Sequence, residues 1–592
     1  MPQEHEIKSE KILVKKIFSD MWFRIPDYQR PYIWGKDQVN DLLDDLNFAQ
    51  KNKPNQEYFL GSFVYQSKRA GSVVGQQFDE NDLLDGQQRM TTMLMLFACI
   101  RDLADEPKVT ASCTKAIFQE GDDIDEIPER TRIVFAIREA VQDFVNEYIK
   151  KAGGTAQEEE LEALIHSSED PSVPNMVKAI QEIRRYLSDP ENSILLKDFL
   201  MFLRNKVLLI YVSTEDLDDA FRLFMILNDR GVPLRNSDIL KSQNLGALEC
   251  EQDSERLKRR YAELWEKAEG ELGDEFDRFL NYLRTVLVKE KARLNLLDEY
   301  DQKIYNPKEK DKKTGQLKPA LLTKGKATFE MVERYLKHYG TLINGVNVTQ
   351  VGGNFRFDNL IKIMWVGLPS TDWIPPLLRY FDRFKYNGIL EFLTLLDNKF
   401  SSDWVSQYTP TARIENMNEV IRVVESCATP EEVLQSACFD VDQDAFVRSI
   451  ESAVYGRRFT RYLLLKLDYI YHNESQKLSV DRLSVEHILP QTPEDTSQWK
   501  QDFTDKQREE WTHRLGNLVL ITTNKNASQG RKDYANKKKD YFLKRIDTCP
   551  NSLRVLNQND QWTPVQLEAN HREVLGKLRE HYGIALPVAT ES

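Results

Sequence analysis

From about residue 245 to residue 475, Leu, Trp, Tyr and Phe recur at three- and four-residue spacing almost without a break, and no fixed-period repeat is present. That spacing marks amphipathic helices packed on one another. Strand-like runs lie on either side of it. The chain must therefore join an α/β part, a helical middle and a small β-containing end. In the first 110 residues, RIPDYQRPYIW reads as extended and GKDQVNDLLDDLNFAQ as a helix. YFLGSFVYQ reads as a strand, and DLLDGQQRMTTMLMLFACIRDL as strand, glycine turn and buried helix. KVLLIYVSTED predicts a second strand, and DLDDAFRLFMILNDRG a helix ended by Gly231. Residues 111–205 read as mostly helical and strongly charged, and 305–326 as a Lys-, Gly- and Pro-rich loop. From residue 482, RLSVEHILPQ and LGNLVLITT read as strands, followed by the basic helical stretch NASQGRKDYANKKKDYFLKRI. The expected fold class is α+β, mostly helical. The expected domains are 1–245 with a helical insertion at about 111–205, 246–475 as a helical connector, and 476–592.

Composition removes several classes. Six scattered cysteines with no CxxC pair exclude a zinc ribbon and a disulfide framework, and fit a reducing compartment. MPQEHEIKSEKILVKKIF lacks the apolar core of a signal peptide. No apolar run approaches the roughly 18 residues a membrane span needs. The expectation is a cytoplasmic protein with no membrane partner. Net charge is −13, which by itself disfavours phosphate binding. Yet Lys525, Arg531, Lys532, Lys537, Lys538, Lys539, Lys544 and Arg545 form a local basic strip against only Asp533 and Asp540. Its bland reading is a solvated helix face. Its functional reading is a track for a DNA backbone, with Lys525, Arg531, Lys532, Lys537 and Lys538 as candidate contacts.

The C-terminal runs hold a constellation suited to phosphodiester hydrolysis. VEHILPQ and LGNLVLITTNKNASQG place Glu486 and His487 on one strand, Asn517 at the start of the next and Asn526 at the head of a helix. His487 suits a general base. Glu486 and Asn526 supply the carboxylate and neutral oxygen that describe Mg²⁺ or Mn²⁺ better than Zn²⁺. Strand alternation sends Glu486 and His487 to opposite faces, unless the strand bends before Pro490. Asn517 joins the catalytic set as the residue that holds the loop carrying His487, not as a metal ligand. Asn524 and His513 lie close enough in sequence to compete for roles here.

Near the N-terminus, IPDYQRPYIW and DLLDGQQR carry two Gln-Arg pairs. Gly86 permits a tight turn, and the helix after it turns a positive dipole end towards an anion. Arg30 and Arg89 are suited to grip phosphate oxygens, Gln87 or Gln88 to orient a water, and Asp85 to hold Mg²⁺ or a sugar hydroxyl. The chain has no GxxxxGK[ST] phosphate loop. The plain alternative is a strand-to-helix turn with surface Gln and Arg.

IPDYQRPYIW, YFLGSFVY, DLLDGQQR and AFRLFMILNDRGVPLRNSDILK, in that order over about 240 residues, are similar to the DUF262 family. The C-terminal blocks EHI.PQ, GNL.L and a following Asn resemble the DUF1524 branch of the His-Me finger (HNH) superfamily. Both on one chain resemble the fused GmrSD-type Type IV restriction enzymes. The resemblance implies a ParB/sulfiredoxin-like N-terminal fold that binds and hydrolyses an NTP, and a C-terminal ββα-metal nuclease. It implies a nucleotide site of Gln29, Arg30, Asp85, Gly86, Gln87, Gln88 and Arg89, with Asn228, Arg230 and Lys241 as further members. It favours Asn526 over Asn524 as metal ligand. The implied substrate is double-stranded phage DNA with hydroxymethyl-, glucosyl- or methylcytosine, and the helical middle is a candidate homodimer element. The alternatives are an NTP-regulated nickase sensing phosphorothioate DNA and an NTP-switched DNA binder in a larger complex.

Overall fold

The computed structural model describes residues 7–585 except 27–28, 30, 70–78, 123, 125–128, 136–137, 169, 216–234, 249–250, 311–314, 481, 524–530 and 544–548. The chain forms two compact units, Met1–Glu271 with Lys324–Phe329, and Leu272–Thr323 with Glu330–Ser592. The break at 271/272 falls inside the helical stretch. The fold is mostly helical α+β, as the sequence predicts. The helix expected over DLDDAFRLFMILNDRG lies outside the described residues.

The first unit is built on a mixed six-stranded sheet. Its strands are β1 (Lys8–Leu13), β2 (Phe23–Ile25), β3 (Tyr58–Arg69), β4 (Asp79–Asp85), β7 (Ile133–Phe135) and β8 (Val207–Thr214). Their order is β1-β8-β3-β4-β2-β7. A separate short pair, β5 (Phe118–Gln119) and β6 (Arg130–Thr131), lies within the charged insertion. β3 runs parallel to β8 and antiparallel to β4. Alternation along β3 puts Phe63 and Tyr65 on one face, where they meet Phe23 and Tyr211. Over the sheet lies the helix Gln87–Leu103, buried on every side from Met90 to Arg101. Its run MTTMLMLFACI, apolar apart from Thr91 and Thr92, reads as a core helix for that reason. Helices Pro107–Ile117 and Ser172–Ser188 pack against it.

The second unit is helical apart from one two-stranded sheet. Helices Ile374–Phe384, Ile389–Val405 and Pro410–Ser426 pack together. Asp397 and Lys466 form a fully buried ion pair, and Lys466 sits among the rings of Tyr462, Tyr469 and Tyr582. The sheet consists of β9 (Leu483–His487) and β10 (Leu518–Thr522), paired antiparallel. Helices Tyr534–Leu543, Pro550–Gln558 and Pro564–His581 follow it. Ile488, Val519, Ile521, Tyr534, Tyr541 and Val555 close a small core between this sheet and the helices. Cys99, Cys113, Cys427, Cys438 and Cys549 are free thiols.

Candidate active site

β9 sets Glu486 opposite Val519 and His487 opposite Leu518 on β10. Alternation therefore divides the two side chains between faces. Glu486 faces the helix Tyr534–Leu543. There the Lys537 ammonium donates to Glu486 Oε1 at 2.7 Å, to the His487 carbonyl at 2.7 Å and to the Ile488 carbonyl at 3.2 Å. All three ammonium hydrogens thus have acceptors. Burial raises the Glu486 pKa and lowers that of Lys537, while their mutual attraction opposes both shifts. Ile488, Val519, Ile521, Tyr534 and Tyr541 line the apolar space around the pair.

His487 turns the other way and is buried. Its ring meets Tyr455 edge-to-face at 4.2 Å, and Tyr455 in turn stacks on His513 at 5.3 Å. The Gln491 side-chain amide lies 3.4 Å from His487 Nδ1. Nε2 is buried with no hydrogen-bond partner among the described residues. Burial, with the neighbouring His513 and Lys537, lowers the His487 pKa to about 4. The ring is neutral at neutral pH, and its Nδ1–H tautomer leaves Nε2 as an unengaged proton acceptor.

Asn517 is completely buried. Its Oδ1 accepts from Leu489 N at 2.8 Å, and its Nδ2 donates to the carbonyls of Leu489 and Thr512 at 2.9 Å each. Its own carbonyl accepts from Ile488 N. The whole amide is consumed in fixing the turn that follows His487, so Asn517 positions and does not face substrate. The glycine before it has an equally physical cause. A Cβ on Gly516 would lie 2.5 Å from the Cα of His571 on the last helix, and Asn570 donates to the Gly516 carbonyl at 2.7 Å.

The basic strip needs correcting. Lys537 does not face solvent, because Tyr534, Lys537 and Tyr541 share the inward side of their helix. Lys532 pairs with Asp540 and Lys538 with Asp560, while Arg531 is exposed. Lys525, Asn524 and Asn526 lie outside the described residues.

In the first unit the structure brings IPDYQRPYIW and DGQQR together. Gln29 is buried and donates to the Leu84 carbonyl at 2.9 Å. Gln88 accepts from Ile33 N at 2.8 Å and Trp34 N at 3.3 Å and donates to the Pro31 carbonyl at 3.0 Å. That amide is a strap between the two segments, and so is not available to orient a water. Gly86 has φ +83°, and a Cβ there would stand 2.8 Å from the Phe63 Cβ. Arg89 reaches inward to the Ser62 carbonyl at 3.0 Å, over Gly61, whose missing Cβ makes the room. Burial lowers the Arg89 pKa and raises that of Asp85, each partly restored by the other's charge. Gln87 opens the helix Gln87–Leu103. Arg30, Asn228 and Arg230 lie outside the described residues. Lys241 is buried and pairs with Glu266 at 3.0 Å.

Sequence reasoning missed two partners here. Arg138 binds Asp170 at 3.0 Å and Glu266 at 2.6 Å, and reaches the Gln29 carbonyl at 3.4 Å. No motif marked Arg138 or Glu266. Lys537 was legible, since its spacing from Tyr534 and Tyr541 is that of one helix face.

Residues 12–245 match the GmrSD restriction endonuclease N-terminal domain, and residues 440–577 the C-terminal domain of GmrSD restriction endonucleases. Together the two matches span most of the chain. The chain belongs to the GmrSD restriction endonuclease family. It is a fused GmrSD-type enzyme, a restriction endonuclease whose substrate is DNA. No curated protein matched the chain. The GmrSD C-terminal match contains Tyr455, Glu486, His487, Asn517 and Lys537, and the N-terminal match contains the DGQQR turn, Arg138 and Lys241. No helix among the described residues is long and apolar enough to cross a membrane. Among the described residues, no group of three or more His, Cys, Asp or Glu is arranged to hold a metal ion.

Proposed function

We propose that this GmrSD enzyme is a modification-dependent, Type IV endonuclease of anti-phage defence. It cuts double-stranded DNA bearing hydroxymethyl-, glucosyl- or methylcytosine, under control of NTP binding and hydrolysis. The observation that carries the nuclease assignment is the buried, neutral His487 with its unengaged Nε2, on a turn stapled by Asn517. In this reading His487 takes the proton from the attacking water. Tyr455 and Gln491 hold the ring in orientation, and Asn517 keeps its turn from shifting.

Glu486 supplies a carboxylate on the face of β9 opposite His487, and Asn526 lies outside the described residues, so the metal reading rests on the resemblance. Glu486 is a carboxylate that already faces a cation, the Lys537 ammonium, and oxygen is the donor Mg²⁺ and Mn²⁺ prefer. Glu486 and Asn526 would hold the metal, with Lys537 as its competitor for Glu486. When bound, such a metal polarises the scissile phosphate and stabilises the leaving oxygen.

The nucleotide reading rests on the DGQQR turn. A Gly86 turn followed by a 17-residue helix, with Asp85 and Arg89 beside it, fits an anionic group. Gln29 and Gln88 tie this turn to its neighbouring segments, which leaves Asp85, Gly86, Gln87 and Arg89, with Arg30 from the resemblance, as the proposed nucleotide-binding set. The two sites stand roughly 400 residues apart in sequence. A coupling element is needed, and the helical stretch between them is the candidate, with a homodimer as one form it takes.

The test is digestion of genomic DNAs differing only in cytosine modification, with and without each NTP, and with EDTA. Cleavage confined to modified DNA, dependent on NTP and abolished by EDTA, is expected. Equal cleavage of unmodified DNA without nucleotide would overturn the specificity and the regulation. Activity in excess EDTA would overturn the metal.

A further inference from the structure

Within the basic strip 525–545, Lys532, Lys537 and Lys538 each have a carboxylate partner. A different basic element lies against the cutting histidine. Tyr455, Gly456, Arg457 and Arg458 form an exposed turn, and Arg461 is exposed in the first turn of the helix Thr460–Tyr471. Among the described residues none of these three guanidinium groups makes an ion pair. Glu451, the acid just before the turn, is held by Arg579.

This turn is built, not loose. Val454 N and Tyr455 N both donate to the His513 carbonyl, at 2.9 and 3.1 Å. Ala453 bridges to Arg514. The Thr460 hydroxyl donates to the carbonyls of Val454 and Arg457. Gly456 takes φ +83°, which turns the chain sharply. Val454 is buried beneath, and the Tyr455 ring lies on His487. The anchoring fixes Arg457 and Arg458 on the turn whose Tyr455 ring packs on His487, with Arg461 in the helix that follows. The helix beginning at Thr460 adds the positive end of its dipole.

We propose that the Tyr455–Arg458 turn, with Arg461, is the element that grips the DNA phosphodiester backbone beside the cutting site. Guanidinium suits this because it is always charged and pairs with phosphate in bidentate fashion. Such contacts hold and register the duplex and carry no sequence information. Tyr455 is then a double-sided residue, fixing His487 on one edge and carrying the phosphate-binding turn on the other. The proposal rests on the reading of His487 as the cutting residue.

The experiment measures binding of a short, labelled, unmodified duplex by the full chain carrying His487→Ala, by fluorescence anisotropy across about 50 to 200 mM salt. Each lost phosphate contact lowers the slope of log affinity against log salt by about 1. Arg457→Ala with Arg458→Ala is expected to lower it by about 2, and adding Arg461→Ala by about 1 more. Arg457→Lys with Arg458→Lys keeps the charges and is expected to keep the slope. An unchanged slope in the folded alanine variant overturns the proposal. So does a slope that the lysine variant fails to preserve, or a chain with no salt-dependent binding to the duplex. Cleavage by the His487→Ala chain would instead remove the nuclease reading, while the slope still decides whether this turn binds DNA.

Discussion

Replacing Lys537 by Met is the sharpest perturbation of the C-terminal site. The ammonium is nearly buried and is shared by the Glu486 carboxylate and two carbonyls, at 2.7, 2.7 and 3.2 Å. Removing it leaves a carboxylate without a counter-charge on a mostly buried side chain. Breaking a buried pair from one side costs about 3–5 kcal/mol, because the partner charge is left uncompensated. At about 1.4 kcal/mol per factor of ten, the local opening constant of the β9–β10 sheet rises roughly a hundredfold to several thousandfold. Hydrogen exchange of peptides covering residues 483–522 in the full chain reads this directly. The Lys537→Met, Glu486→Gln double variant is expected to be less damaged than Lys537→Met alone, since the stranded charge is gone. The loss in Lys537→Met also grows as pH rises and Glu486 ionises. If the single change leaves exchange within a factor of ten of the parent, or if the double variant is as damaged as the single, Lys537 does not hold Glu486.

Three further outcomes are expected. Asn517→Ala deletes three buried side-chain hydrogen bonds and strands their backbone partners, at about 1–3 kcal/mol for each group left unsatisfied; exchange at residues 488–489 should accelerate and cleavage should fall with it. Gly86→Ala forces a side chain into a left-handed backbone, at about 1–2 kcal/mol, and drives its Cβ against Phe63; thermal melting of the first unit and nucleotide turnover should both drop, and an unchanged melt would refute the packing argument. Burial pushes the Asp468 carboxyl up to about 7 from 3.8, so between those pH values the fold binds a proton that the unfolded chain has released, and stability falls as pH rises. Asp468→Asn should therefore gain melting temperature over the parent at about pH 8 and not at about pH 4; an equal gain at both would contradict the burial argument.

Local patterns carried much of the fold. The apolar run after Gly86 predicts a core helix, and the helix Gln87–Leu103 is buried around its whole circumference from Met90 to Arg101. YFLGSFVYQ and LGNLVLITT announced β3 and β10, because alternation and β-branched content are local properties. Which side chains are engaged inside the fold was not legible. Gln88 reads in sequence as a candidate to orient a water and Gln29 as a nucleotide-site residue, yet both are tied to backbone carbonyls or amides of neighbouring segments. Gly61 and Gly516 are explained only by what passes over them, Arg89 and His571 respectively. Tyr455 reaches His487 from a turn that no local pattern connects to β9. Arg138 and Glu266 meet Gln29 and Lys241 through folding alone. In each case the missing information is a tertiary partner distant in sequence.

The central claim is that His487 is the group that cuts DNA. It is tested most directly by comparing cleavage of a susceptible DNA by the full chain and by its His487→Ala variant, with duplex binding and nucleotide hydrolysis measured on the same preparations. General-base catalysis is worth about 10²–10⁴ in rate, so cleavage should fall at least a hundredfold while binding and hydrolysis persist. Cleavage at the parental rate by a folded His487→Ala chain would contradict the account.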